Sequence, residues 1–266
     1  MKEITHDHKK ISNGITIFQG MDNEGKIYLI EGKTAALLID TGFGVTDLAG
    51  EIRTVTGLPL TVVNTHGHGD HSGGNNQFSE VYLHERAARE AGEALELNKT
   101  VLPPDLWSKA EEAYRSKTTV QRFISERFSF DLGGGRKIEV VEIPGHTPGC
   151  ICLIDSMSGL VFTGDCLVKS MDILLVVPSS LPVTAYLSSM EKLLDRSSRF
   201  AGLCTGHDAA PLPVSFLCDA VVCARQIIAG KAAAAPVELP AVYGDTAACR
   251  AVFGDASILY RPSKIC

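Results

Sequence analysis

The sequence predicts an α/β protein, and three observations carry that prediction. Short runs of β-branched and aliphatic residues recur along the 266-residue chain, among them "KIYLIEG", "TAALLID", "LTVVNT" and "LVFTG". Segments with apolar residues at helical spacing separate or follow them, as in "VTDLAGEIRTVTG" and "LPVTAYLSSMEKLL". Several strand runs also end on aspartate or histidine, which places polar chemistry at strand ends rather than on strand faces.

A chain with 45% hydrophobic residues can build a large core without a metal or disulfide staple, and one domain over residues 1–266 is the expectation. The formal net charge of −6, with no long Lys/Arg run, argues against a nucleic-acid partner. The N-terminal "MKEITHDHKKISNG" has no apolar run of the kind that forms a signal-peptide core. No later stretch approaches the ~18 uninterrupted apolar residues of a membrane helix. A soluble, cytoplasmic protein acting on a small molecule is expected, with no membrane and no oligomeric state implied. The eight cysteines lie mostly inside apolar runs and read as buried thiols. Cys150 and Cys152 have the spacing of soft metal ligands, but without a second C-x-C they read as packing.

The elements follow in order. "GITIF" near 14–18, "KIYLIEG" at 26–32 and "TAALLID" at 34–40 read as strands, the last two joined by a turn at Gly32-Lys33. Asp40 then falls at a strand end. "VTDLAGEIRTVTG" reads as a helix stopped at Gly57, and "LTVVNT" as a buried strand that empties into "NTHGHGDHSGGNN" at 64–76. After the strand "EVYLHE", residues 85–128 are charged and helix-prone and are expected as a helical insertion, either covering a site or lying as a plain surface pair.

A second strand block begins at "KIEVVEIPGHTPGCICLIDSMSGLVFTGD", where "CICLI" and "LVFTG" flank the turn-like "DSMSG" and should pair as an antiparallel hairpin. His146, just before the first strand, and Asp165, just after the second, should therefore converge on one sheet edge. "LPVTAYLSSMEKLL" is a helix with Pro182 near its first turn, "FAGLCTGHD" a short strand, and "PVSFLCDAVVCARQIIAG" a helix closed by Gly230. The last residues, about 232–266, with "AVYG" and "SILYRP", read as a small strand-bearing cap.

If residues 66–70 run extended, His66, His68 and Asp70 share a side while His71 turns the other way. Gly67, Gly69, Gly73 and Gly74 would let backbone pass close to a metal and take conformations closed to other residues. A cluster of that shape can serve two ions only with further donors. His146 in "PGHTPG", Asp165 in "FTGD" and His207 in "CTGHD" each follow a glycine at a strand margin. His84, His6 and His8 stand outside this set; His84 reads as structural and the other two as solvated.

The residues "THGHGDHSGG", "PGHTPG", "FTGD" and Gly206-His207, with "LLIDTG" upstream, resemble in order the five motifs of the metallo-β-lactamase-fold superfamily, over about residues 15–210. The resemblance implies a four-layer αββα sandwich with a metal site at one end of the two central sheets. It implies His66, His68 and His146 on a first metal, Asp70, His71 and His207 on a second, Asp165 bridging both, and Asp40 in supporting contact with the ligands. Zinc is the leading expectation, although the same donors suit iron and manganese. Hydroxide generated at two such ions would attack a carbonyl, with Asp70 orienting it and taking a proton.

Within the superfamily, His68 stands where the flavodiiron branch has a carboxylate, and no basic RNA-binding extension of the tRNA-processing branch is visible. The chain is similar to glyoxalase-II-like and lactonase-like hydrolases of thioesters, lactones and esters. It departs from both: "CLVKSMDILLVVPSS" follows the bridging Asp165, and the next tyrosine is Tyr186, inside a helix. β-Lactam or phosphodiester hydrolysis stands as the alternative reaction, and a non-catalytic metal-binding sensor as the alternative class. "LVKSMDILLVVP" is either an apolar pocket loop or, from Leu174 to Val177, one more buried strand.

Overall fold

A computed structural model describes residues 4–115, 118–240, 243 and 247–266, without the side chains of residues 97, 109 and 113–115. The α/β class is observed. Two compact units are present, Met1–Val140 with Asp155–Ser158, and Val141–Ile154 with Gly159–Cys266.

The first unit is built on a mixed seven-stranded sheet in sequence order, β1 (Asp7–Ser12), β2 (Ile15–Gln19), β3 (Ile27–Glu31), β4 (Ala36–Ile39), β5 (Leu60–Val63), β6 (Glu80–His84) and β7 (Val120–Ile124). The first four strands are antiparallel neighbours, and Gly32 and Lys33 do lie in the turn between β3 and β4, whose register is Glu31↔Ala36. From β4 onward the strands run parallel, so each connection must cross over. Helix α1 (Leu48–Val55) makes the first crossover: the Asp47 carboxylate accepts from the Gly50 N–H at 3.0 Å, and Leu48 and Ile52 bury against Phe18, Leu29, Leu38 and Val62. The short helix α2 (Gly69–Ser72) follows β5. Helices α3 (Ala88–Asn98) and α4 (Pro104–Arg115) make the crossover from β6 to β7.

The helix-prone reading of 85–128 therefore holds only in part. Its end, "VQRFI", is the parallel edge strand β7, formed from β-branched and aromatic residues that a charge-based reading of the whole segment hides. His84 is structural as expected, its Nδ1 accepting from the Arg86 N–H at 3.1 Å. The expected solvation of both N-terminal histidines is corrected at His6. His8 is exposed and stacks on Phe18, whereas His6 is buried, with Nδ1 2.6 Å from Glu51 and Nε2 3.5 Å from the buried Glu24. Both carboxylates come from distant positions, which no local pattern announces. The hairpin β8 (Ser129–Asp131) and β9 (Lys137–Glu142) completes this part of the chain.

The second unit carries β10 (Ile151–Asp155) and β11 (Leu160–Gly164), neighbours joined by a short turn, which makes them the expected antiparallel hairpin. A further short strand, β12 (Ile173–Leu175), follows. Helix α5 (Val183–Leu194), opened by Pro182, leads to β13 (Gly202–Thr205), parallel to β11, and then to β14 (Leu212–Pro213). Helix α6 (Ser215–Ile228) ends as the sequence predicts: Gly230 takes φ +63, Gly230 N–H donates to Ile227 O at 3.1 Å and Lys231 N–H to Gln226 O at 2.9 Å. Both helices bury Tyr186, Met190, Leu193, Phe216, Leu217 and Val221 in a core with Ile143, Cys152, Ile154 and Val161. The C-terminal stretch holds β15 (Ala235–Val237), β16 (Ala248–Phe253) and β17 (Ala256–Tyr260). "AVYG" at 241–244 lies, Tyr243 apart, outside the described residues. The choice left open at "LVKSMDILLVVP" goes to a strand, but over Ile173–Leu175 rather than the expected Leu174–Val177, since β12 pairs parallel with β17, Ile173 against Ile258. Among the described residues no helix is long and apolar enough to cross a membrane.

Candidate metal centre

In the first unit, chain leaving β5 does not stay extended to Asp70. It turns at His68 into α2, with Ser72 N–H on His68 O at 2.9 Å and the Ser72 hydroxyl on the same carbonyl at 2.9 Å. The expected shared parity of His66, His68 and Asp70 is corrected accordingly. A helical turn, rather than strand alternation, carries Asp70 and His71, and the Ser72 hydroxyl bonds back to the carbonyls of Gly67 at 3.0 Å and His68 at 2.9 Å at its start. The result is still one cluster: the His66 ring lies 4.7 Å from His68 and 4.3 Å from His71, and His71 Nε2 is 3.4 Å from the Asp70 carboxylate.

The glycines serve close approach, not unusual dihedrals. None of Gly67, Gly69, Gly73 and Gly74 has a positive φ, but a Cβ on Gly69 would sit 2.0 Å from Asn98 Oδ1. Asn98, the last residue of α3, donates from Nδ2 to Gly69 O at 3.0 Å and to Phe43 O at 3.3 Å, which ties α2 to the loop after β4.

Asp40 is itself the residue with positive φ, +63, at the end of β4. Its carboxylate accepts from Thr65 N–H at 2.7 Å, from the Thr65 hydroxyl at 2.8 Å and from His71 Nδ1 at 2.8 Å. The backbone of His71 is held separately, its carbonyl accepting from Asn64 Nδ2 at 3.1 Å and from the Thr41 hydroxyl at 3.2 Å.

In the second unit, His146 precedes β10, Asp165 follows β11 and His207 follows β13, so three strand ends supply the donors. The hairpin converges as expected: His146 Nε2 is 3.7 Å from Asp165 Oδ2, and His207 Nε2 is 3.3 Å from Asp165 Oδ1. The Leu174 carbonyl of β12 accepts from His146 Nδ1 at 2.7 Å. Asp208 anchors the chain after Asp165, accepting from Lys169 N–H and Ser170 N–H, each at 2.9 Å. Sequence reading missed Thr65, Asn98, the Leu174 carbonyl and Asp208. Thr65 and Asp208 were visible as polar neighbours of motif histidines; nothing marked the other two.

The donors fit a transition metal by a chemical test. A carboxylate or carbonyl can only accept, so His71 and His146 carry their proton on Nδ1, and in the neutral ring Nε2 is then the coordinating nitrogen. In both rings Nε2 is the atom turned to a carboxylate donor. Among the described residues two groups could hold a metal ion: His66, His68, His146 and Asp165, and Asp70, His71, Asp165 and His207. Asp165 belongs to both. Cys150 and Cys152 belong to neither and pack in the core.

A family model of the metallo-β-lactamase superfamily matches residues 22–207. The acyl-coenzyme A thioesterase MBLAC2 of Gallus gallus is 32% identical over 179 residues, 59% of this chain; the match spans 64% of that protein's length. Its Homo sapiens counterpart is 28% identical over 216 residues, 72% of this chain and 76% of the relative. A solved metallo-β-lactamase from Pontibacter korlensis has the same fold, with a TM-score of 0.63 at 20% identity over 83% of this chain and 99% of that one. This chain belongs to the metallo-β-lactamase superfamily of metal-dependent hydrolases.

Proposed function

We propose that the chain is a dinuclear metal-dependent hydrolase that cleaves acyl thioesters. The observation that carries the reading is the pair of four-donor groups of histidine and aspartate with Asp165 common to both. His66, His68 and His146 would hold one ion, Asp70, His71 and His207 the other, and Asp165 would bridge them. Zinc is the metal we propose, since histidine nitrogen and carboxylate oxygen are its usual catalytic ligands and it activates water without redox chemistry; the same donors also suit iron and manganese. When bound, the ions supply water activated near neutral pH and a Lewis acid for a carbonyl oxygen.

The remaining chemistry belongs to the chain. Asp70 is the donor with the more open side chain, 22% exposed where its neighbour His71 is 0%. It is therefore placed to orient the attacking water and to take its proton as the tetrahedral intermediate forms. Asp40 holds His71 from behind, and Asn98 and Ser72 hold the turn that presents Asp70.

The relatives named acyl-coenzyme A thioesterases support a thioester over the other carbonyl substrates, lactones and simple esters. The β-lactamase-named structure stands at 20% identity and speaks only for the fold. Metal-loaded protein should be offered an acyl-coenzyme A thioester, homoserine and aliphatic lactones, a cephalosporin reporter and a phosphodiester reporter side by side. We expect the thioester to be turned over fastest. Preference for the phosphodiester overturns the substrate class, and silence on every probe favours a metal-binding sensor.

A further inference from the structure

We infer that Thr65 is a positioning residue whose hydroxyl relays the Asp40 carboxylate to His66, so that one carboxylate sets the ring tautomer of a histidine in each metal group. The inference rests on the reading of these groups as metal sites.

Proton counting carries the argument. Asp40 Oδ2 accepts from two sides, the Thr65 hydroxyl at 2.8 Å and His71 Nδ1 at 2.8 Å. A threonine hydroxyl has a single proton, and here it goes to the carboxylate. Thr65 Oγ1 lies 3.1 Å from His66 Nδ1, and with its own proton committed it can only accept there. His66 Nδ1 is thereby the protonated nitrogen, and Nε2 carries the lone pair. The hydroxyl thereby selects the Nδ1–H tautomer of His66.

The setting keeps water from replacing the relay. Asp40 is 1% exposed, Thr65 2%, and His66 and His71 0%. Asp40 is further pinned by Thr65 N–H on Oδ1 at 2.7 Å, so the carboxylate cannot rotate to reach His66 directly without releasing a backbone donor. His66 falls in the group with His68 and His146, and His71 in the group with Asp70 and His207. Removing the hydroxyl should therefore strike the first group alone, whereas altering the Asp40 carboxylate should strike both.

The variants are Thr65→Val, which exchanges hydroxyl for methyl at nearly constant shape, Thr65→Ser, which keeps the hydroxyl, and Asp40→Asn. Zinc-loaded protein is titrated with a chelator while bound metal is counted by elemental mass spectrometry. Thr65→Val should lose one equivalent at a chelator strength roughly 10–100-fold weaker than wild type, the usual cost of deleting a partner behind a ligand. The second equivalent should stay near wild type, Thr65→Ser should restore the first, and Asp40→Asn should weaken both.

A second readout uses no metal. Nitrogen NMR of ¹⁵N-histidine protein in metal-free, mildly alkaline solution reports each tautomer. His66 should show protonated Nδ1 in wild type and Thr65→Ser, and a shifted tautomer balance in Thr65→Val. If Thr65→Val does not fold, Thr65→Ala is read the same way. A wild-type tautomer pattern in the hydroxyl-free variant overturns the relay, as does retention of both ions at the wild-type chelator midpoint. Wild-type protein that takes up no zinc overturns the metal reading instead, and the metal-free spectra still decide the relay.

Discussion

His71 shows how much of the site is fixed one residue at a time. Asp40 sits on one ring nitrogen, Asp70 lies 3.4 Å from the other, and Asn64 and Thr41 hold the carbonyl. With His71 so constrained, Asp70 is the donor left to act chemically. Asp70→Asn keeps the shape of the turn but removes the base, and thioester turnover should fall by about 10²–10⁴-fold with metal partly retained, in a steady-state assay paired with metal analysis. Full activity in that variant would remove Asp70 from the proton transfer. Asp165 makes a different prediction, because it belongs to both donor groups: Asp165→Ala should lower the bound metal and the rate together. Thiol chemistry is decided at this scale too. Burial pushes the Cys204 thiol up to about 12 and the Cys223 thiol up to about 11, and neither offers a nucleophile at neutral pH.

Between elements, the decisive contact is α2 against α3. Gly69 opens α2 under Asn98, and an added Cβ would also meet Ala94 O at 2.7 Å. Gly69→Ala must push α3 away, which should cost roughly 1–3 kcal/mol of stability and lower metal content. Gly92 is the internal control, since it lies within α3 with nothing within 4 Å of its would-be Cβ and an ordinary φ. Gly92→Ala should therefore stabilise, by about 0.4–1 kcal/mol, through the entropy of the unfolded chain. Denaturant unfolding of the two variants checks both signs, and equal effects would mean that α3 does not press on Gly69.

For the molecule as a whole, stability should depend on pH through its N-terminal segment. Burial of His6 opposes its charge, but the hydrogen bonds and charges of Glu24 and Glu51 outweigh that and raise its pKa above the ordinary 6.5. A raised folded-state pKa means that the stabilisation is full below 6.5 and is lost as pH rises through the folded value. Thermal melts of wild type and His6→Gln should differ most on the acidic side of that window and converge on the alkaline side; a constant difference would show that His6 acts by packing alone. Metal is the other global term. Elemental analysis of protein prepared with metal in excess should give close to two equivalents per chain, and stripping them should lower the melting temperature, because an ion that binds only the folded form stabilises it by mass action.

The sequence by itself determined what is local. Strand runs, the turn at Gly32-Lys33, the Gly230 helix stop and the order of histidine and aspartate motifs are set by dihedral preference and side-chain chemistry within a few residues. The convergence of His146 and Asp165 was legible as well, because a tight hairpin leaves the two strand ends nowhere else to go. Tertiary structure alone decided the rest. The hydroxyl of Thr65 acquired its role only when Asp40, 25 positions away, was folded onto it. The Leu174 carbonyl became the partner of His146 only through the placing of β12, and His6 became buried only when Glu24 and Glu51 closed on it. "VQRFI" became a strand because β6 offered it an edge. Hydrogen-bond partners of this kind are unmarked in the chain: any threonine, carbonyl or glutamate can serve, and which one does depends on where packing of the apolar cores brings the backbone.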